Sequence, residues 1–162
     1  MGAGYHGGFG HTSGSDKIFK IGFTKSGAKL YTRDELIKSL DGVTTTSSMI
    51  ADLLRSKKVG LNVIGDRLFS YAFNLGPDTS AFYSNGQIYI RSSSLSIIDD
   101  LVHEGKHAYD DKILNKDINF IKSRHGELRA YSAEREFQLA KGRKPTYKDL
   151  NEMYKHIKKN YK

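Results

Sequence analysis

LSIIDDLVHEGKHAYDD, residues Leu95 to Asp111, reads as a single helix that carries His103-Glu104-Gly105-Lys106-His107, an HExxH pattern. Residues four apart lie on one face of a helix, about 6 Å along its axis, so two imidazoles at this spacing can reach one metal ion. Glu104 follows the first His and points beside that face, where it can take a proton from a water at the metal without being a ligand. Ser96 and Asp99 have capping-box spacing, and Asp99-Asp100 sits at the positive end of the helix dipole. Ile97, Ile98, Leu101 and Val102 supply the apolar stripes that bury one side. Gly105 costs about 1 kcal/mol relative to Ala in a helix interior, which predicts a close approach of some neighbour there.

A catalytic zinc takes three protein ligands and leaves a fourth position for water. The chain has no Cys, so a third ligand has to be a His or a carboxylate. A second helix is predicted from His125 to Phe137, closing near Lys141-Gly142. On it Glu127, Ala130, Tyr131 and Glu134 fall at i, i+3, i+4 and i+7, one stripe of acid, small residue, aromatic and acid. A surface helix has no need of carboxylates on the face that also holds its small and aromatic residues. Two turns separate Glu127 from Glu134, about 10.5 Å, so they cannot both bind one ion directly. Glu127 is the expected third ligand and Glu134 the residue that orients a ligand His or pairs with a base, with the reverse assignment left open. Tyr131 shares their face. Asp110 and Asp111, one turn beyond His107, are candidates to accept its other ring proton, or are plain solvated acids. His125 reads as a pre-helix turn residue rather than a ligand.

Composition bounds the rest. A chain of 162 residues suits one domain. No apolar run approaches the ~18 residues of a membrane span, and no basic-then-apolar secretory signal opens it. The net charge of +8 is uneven: Asp111 to Lys162 holds 14 Lys and Arg against 7 Asp and Glu. Such a region can attract an acidic protein, a nucleic acid or an anionic surface, or be a solvated helix face. Residues 1–16 read as a flexible Gly-rich leader, in which His6 and His11 are not expected to bind metal, and 17–162 as the folded domain.

Along the domain, Ile18 to Phe23 suggests a short strand. Thr32 with Glu35 opens a helix to Leu40 that Asp41-Gly42 stops, and Ser47 or Ser48 caps another through Met49, Ile50, Leu53 and Leu54. Residues 61 to 92 read as β, with strands at Leu61–Ile64 and Leu68–Leu75, a turn at Gly76-Pro77-Asp78, and a hairpin of Ala81–Ser84 and Gln87–Arg91 about Asn85-Gly86. The second hairpin strand runs almost directly into the HExxH helix, where a strand can pair with an extended substrate or be an ordinary sheet edge. Thr146 to Asp149 caps a last helix with Leu150, Met153, Tyr154 and Ile157 on one side and lysines on the other, His156 being expected among the exposed residues.

Leu101 to Asp111 resembles the active-site helix of zincin metallopeptidases, and its HExxHAxDD form is similar to that of the anthrax lethal factor type. The twenty-residue gap from His107 to Glu127 resembles gluzincin spacing. Gly8-Phe9-Gly10-His11-Thr12-Ser13-Gly14-Ser15 looks like the junctions that precede C-terminal metallopeptidase toxin domains of bacterial polymorphic toxins. These resemblances cover about residues 87 to 140 and the leader. They imply a small α+β zincin-like domain with a mixed or antiparallel sheet, zinc on His103, His107 and Glu127, and Glu104 as catalytic acid/base. They further imply a protein or peptide substrate, secretion as part of a longer exported toxin, and an acidic immunity or inhibitor protein as a possible partner. The oxyanion-stabilising residue has no clear place; Tyr131, His125, Tyr147 and Tyr154 are the candidates. Two other classes stay open. One is a basic nucleic-acid-binding or nuclease-type effector, for which Tyr147, Tyr154 and Tyr161 among lysines would be the aromatic signature; nucleic acid is the less expected partner. The other is a zincin fold that has lost activity and serves as a binding module.

Overall fold

The computed structural model describes residues 31–162; the leader, its two histidines and the strand expected at Ile18–Phe23 lie outside the described residues. The protein is a mixed α+β structure in which seven helices surround a three-stranded sheet, counted among the described residues. Helices α1 (Arg33–Leu40) and α2 (Thr45–Arg55) come first, then β1 (Gly60–Ile64) and α3 (Asp66–Phe73). The hairpin β2 (Ala81–Ser84) and β3 (Gln87–Arg91) leads into α4 (Ile97–Lys112), and α5 (Ile118–Ile121), α6 (Arg124–Ala140) and α7 (Leu150–Asn160) complete the chain.

Local chemistry explains most of these elements. Thr32 and Glu35 close the expected capping box on α1. On α2 the cap is Thr44 rather than Ser47 or Ser48; Ser47 is its reciprocal partner three residues on, each side chain engaging the other's backbone. Asn85 and Gly86 both have positive φ, 48° and 76°, which a type I′ hairpin turn requires. The strand expected at Leu68–Leu75 is a correction: it forms α3, ended by Asn74 in the left-handed region. Phe69 and Phe73, four apart, stack edge-on at 5.8 Å, and both meet Phe82 of the sheet. An i, i+4 aromatic pair buried against one sheet face is satisfied by a helix, and the aromatic composition alone favoured a strand.

The sheet has order β1-β3-β2, with β1 parallel and β2 antiparallel to β3. Strand alternation sends Tyr89 toward α3, 4.7 Å from Phe73, and sends Ile88 and Ile90 into the main core with Leu61, Val63 and Tyr83. Helix α4 crosses that face and is buried nearly all round, since α2 and α6 cover its other sides. At Gly105 an added Cβ would lie 2.4 Å from Ile50 Cγ2, so the close neighbour expected there is the side chain of α2. β3, the strand that feeds α4, is the centre of the sheet and has both edges paired. It cannot accept an incoming strand; β2 is the edge on that side.

Helix α4 begins at Ile97 as expected, but the Ser96 side chain makes no capping bond. Asp99 is turned instead toward α6 and the segment after it, where Arg143 and Gln138 bind it.

Candidate metal centre

Two helices build the site. Among the described residues α4 packs more extensively on α6 than on any other helix, and the shared surface carries His103 and His107 from one side and Glu127 from the other. Glu127 sits in the first turn of α6, just after Ser123, whose hydroxyl accepts the Gly126 N–H and fixes where the helix starts. All three side chains are buried.

The His103 Nε2 and Glu127 Oε2 atoms are 3.3 Å apart, and His107 Nε2 and Glu127 Oε1 3.5 Å. One donor atom from each of the three residues lies within 4.8 Å of the others. A tetrahedral zinc with bonds of 2.0–2.2 Å holds its donors about 3.4 Å from one another. Glu127 Oε2 is buried and has no aligned hydrogen-bond donor, which is costly for a carboxylate oxygen unless a cation sits beside it. The residues therefore fit a divalent metal ion.

The electrostatics point the same way. Burial lowers the His103 pKa, but the carboxylates of Glu127 and Glu134, with Glu104 behind, outweigh it and hold the imidazole well above its ordinary range. Burial pushes the Glu127 carboxyl up, and the two imidazoles more than reverse that. Three carboxylates around two imidazoles call for added positive charge, which a proton supplies weakly and a divalent cation supplies fully. The Glu104 carboxyl is pushed up by burial. Among the described residues no hydrogen bond engages it, so its oxygens are available to a water beside the imidazoles.

Glu134 reaches the other nitrogen of the first imidazole: its Oε2 lies 3.3 Å from His103 Nδ1. Asp110 and Asp111 do not reach His107, whose Nδ1 is buried and has no hydrogen-bond partner among the described residues. Asp110, 1% exposed, is taken by Lys106 on its own helix and by a two-pronged bond from Arg129, 2.7 and 2.8 Å. Asp111 accepts from Tyr83 Oη at 2.5 Å and pairs with Lys112. Asp110 is buried and Asp111 partly exposed, and neither contacts a ring nitrogen of His107.

Tyr131 lies edge-on to the His103 ring, centroids 4.4 Å apart, and its hydroxyl is 3.3 Å from Tyr161 Oη and 3.4 Å from His156 Nε2. Tyr147 packs on both Tyr131 and His156. His156 is thus half-buried against this cluster, a correction to its expected exposure, and His125 and Tyr154 are exposed away from it. Tyr161, which the motif spacing gave no reason to single out, is held by Arg124: the guanidinium donates to the carbonyls of Tyr161 and Lys158. Burial raises the Tyr161 pKa to about 12, and the charges of Glu127 and Glu104 add to the shift. With Tyr147 and Tyr161 turned inward, only Tyr154 of the three C-terminal tyrosines faces outward among the lysines, so most of the aromatic signature for a nucleic-acid surface is absent there.

No helix among the described residues is long and apolar enough to cross a membrane. Compared with models of protein families, with curated proteins and with solved structures, the chain matches none.

Proposed function

We propose that this domain is a zincin-like, zinc-dependent peptidase. The observation that carries the reading is the convergence of His103 Nε2, His107 Nε2 and Glu127 at donor separations of 3.3 and 3.5 Å, around a buried carboxylate oxygen with no aligned hydrogen bond among the described residues. Zinc bound there would act as a Lewis acid, making water a nucleophile at neutral pH and polarising the scissile carbonyl.

The chain's residues supply the remainder. Glu104, adjacent to His103 on α4 and engaged by no hydrogen bond among the described residues, takes the proton from the attacking water and passes it to the departing amine. Its raised pKa suits both halves of that transfer. Tyr161, whose hydroxyl lies 3.3 Å from that of Tyr131, the ring packed on His103, is the neutral donor we assign to the carbonyl oxygen as negative charge develops on it. Glu134 fixes the tautomer of His103 by accepting its Nδ1 proton. β2, the sheet edge packed against α4, offers main-chain groups to an extended substrate. In the same proposal the domain is the catalytic part of an exported toxin, a reading supported by the Gly8–Ser15 pattern.

The test is Glu104→Gln. It should retain zinc at the wild-type ratio and lose peptide cleavage by about 10²–10⁴-fold. Full proteolysis by this variant would remove Glu104 as the base, and a zinc-free wild type would remove the enzyme reading altogether. Zinc binding without any cleavage would leave a binding module.

A further inference from the structure

The metal centre continues outward through a chain of hydrogen bonds that ends in the segment between α6 and α7. Asp99 and His103 are four residues apart on α4, and Glu134 and Gln138 are four apart on α6, so the two pairs face each other as successive rungs. Glu134 Oε2 meets His103 Nδ1 at 3.3 Å; its other oxygen, Oε1, lies 3.2 Å from Gln138 Nε2 and 3.3 Å from Thr146 Oγ1. Gln138 is 3% exposed. Its amide nitrogen also reaches Asp99 Oδ2 at 3.0 Å and Thr146 Oγ1 at 2.9 Å, and its carbonyl oxygen accepts the Thr146 backbone N–H at 2.9 Å. Arg143 closes the network on Asp99 with two bonds, 3.0 and 2.5 Å.

We propose that Gln138 and Thr146 are positioning residues that hold the Glu134 carboxylate against His103, so that the α6–α7 segment sets how tightly the centre binds its metal. This rests on the metal-centre reading above. The Gln138 amide nitrogen has two protons for three acceptors, so Glu134 Oε1 is shared between it and the Thr146 hydroxyl, and a carboxylate held on one oxygen by these groups presents the other in a fixed direction. Without them, Glu134 can rotate among alternative rotamers and His103 loses its fixed tautomer and ring angle. Thr146 is the informative position because it is exposed and because its hydroxyl is the part that reaches Glu134 and Gln138 Nε2, while its backbone N–H bond to Gln138 Oε1 is kept in Val and Ser variants.

The experiment measures zinc affinity by chelator competition and the visible spectrum of the cobalt-substituted protein, with the melting temperature of the metal-free form as control. Thr146→Val should weaken zinc about 10-fold and alter the cobalt bands, and Thr146→Ser should restore both. Gln138→Leu should weaken zinc by about 10–100-fold. Melting of metal-free Thr146→Val should match the wild type, which a merely structural role for the hydroxyl would not give. If Gln138→Leu fails to fold, the Thr146 pair decides. Wild-type zinc affinity and cobalt spectrum in Thr146→Val overturn the proposal and leave the metal centre standing. A wild type that binds neither metal overturns both.

Discussion

The two nitrogens of His103 face different acids, which supports the expected order, Glu127 as the metal-facing acid and Glu134 behind the imidazole, over the reverse one that helical spacing left open. Glu127 lies on the Nε2 side with His107, whereas Glu134 lies on the Nδ1 side, where only one imidazole is within reach. Glu134→Gln should therefore weaken zinc about 10–100-fold, and Glu127→Gln should weaken it far more. Chelator competition on the two variants checks this, and the opposite order would exchange the roles. Gly105 makes a second prediction at this scale. Ala is the better helix former by about 1 kcal/mol, but its methyl would sit 2.4 Å from Ile50 Cγ2. The overpacking should win, leaving Gly105→Ala destabilised by about 1–3 kcal/mol in urea denaturation. A stabilised variant would mean that α2 and α4 are less tightly apposed.

At the scale of elements, Asp110 is the pin that registers α6 on α4. It is buried between Lys106 and the two-pronged Arg129, two residues past Glu127, so the bond that fixes the rotation of α6 also aims Glu127 at the two imidazoles. Asp110→Ala strands a buried lysine and should cost about 3–5 kcal/mol. Burial raises the Asp110 pKa, but Arg129 and Lys106 hold it below the usual carboxylate range. A folded pKa below the unfolded one gives stability that is full above the unfolded value, about 3.9, and is lost as pH falls through the folded value. Wild-type denaturation free energy should thus drop in acid below about pH 4, and Asp110→Asn should show a shallower drop; equal slopes would remove Asp110 as a source. Sequence made α4, α6 and the Asn85-Gly86 hairpin legible, because each carries its own periodic or turn signal. It misassigned α3, where Phe69 and Phe73 suit strand or helix until a sheet face chooses between them. It misplaced the partners of Asp99, Asp110 and Asp111, because Arg143, Arg129 and Tyr83 are remote in the chain and only packing brings them close.

For the whole molecule, the same remoteness explains why the His103–Glu127 centre was legible and its aromatic wall was not. HExxH and the acid stripe are local helical patterns, whereas Tyr161 and His156 reach the site because α7 packs on α6 through Met153 and Ile157 and Arg124 holds its end. The core has a bearing on what metal can contribute. Leu36, Leu40, Ile50, Leu54, Leu61, Ile88, Ile90 and Phe137 are buried in one cluster that joins α1, α2, the sheet and α6 without using the metal-facing side chains. Such a core should fold without the ion, unlike a small domain whose ligands are its only centre. Binding to the folded state alone adds RT ln(1 + [L]/Kd), about 4 kcal/mol at a thousandfold excess of zinc over Kd. Stripping zinc with EDTA should then lower the melting temperature while leaving one cooperative transition with native helix content, readable by calorimetry and circular dichroism. That loss should exceed the one EDTA causes in Glu127→Gln, whose weaker zinc binding leaves less stabilisation to remove. An apo protein that unfolds outright, or zinc that leaves melting unchanged, would contradict this division between a self-sufficient core and a metal-dependent site.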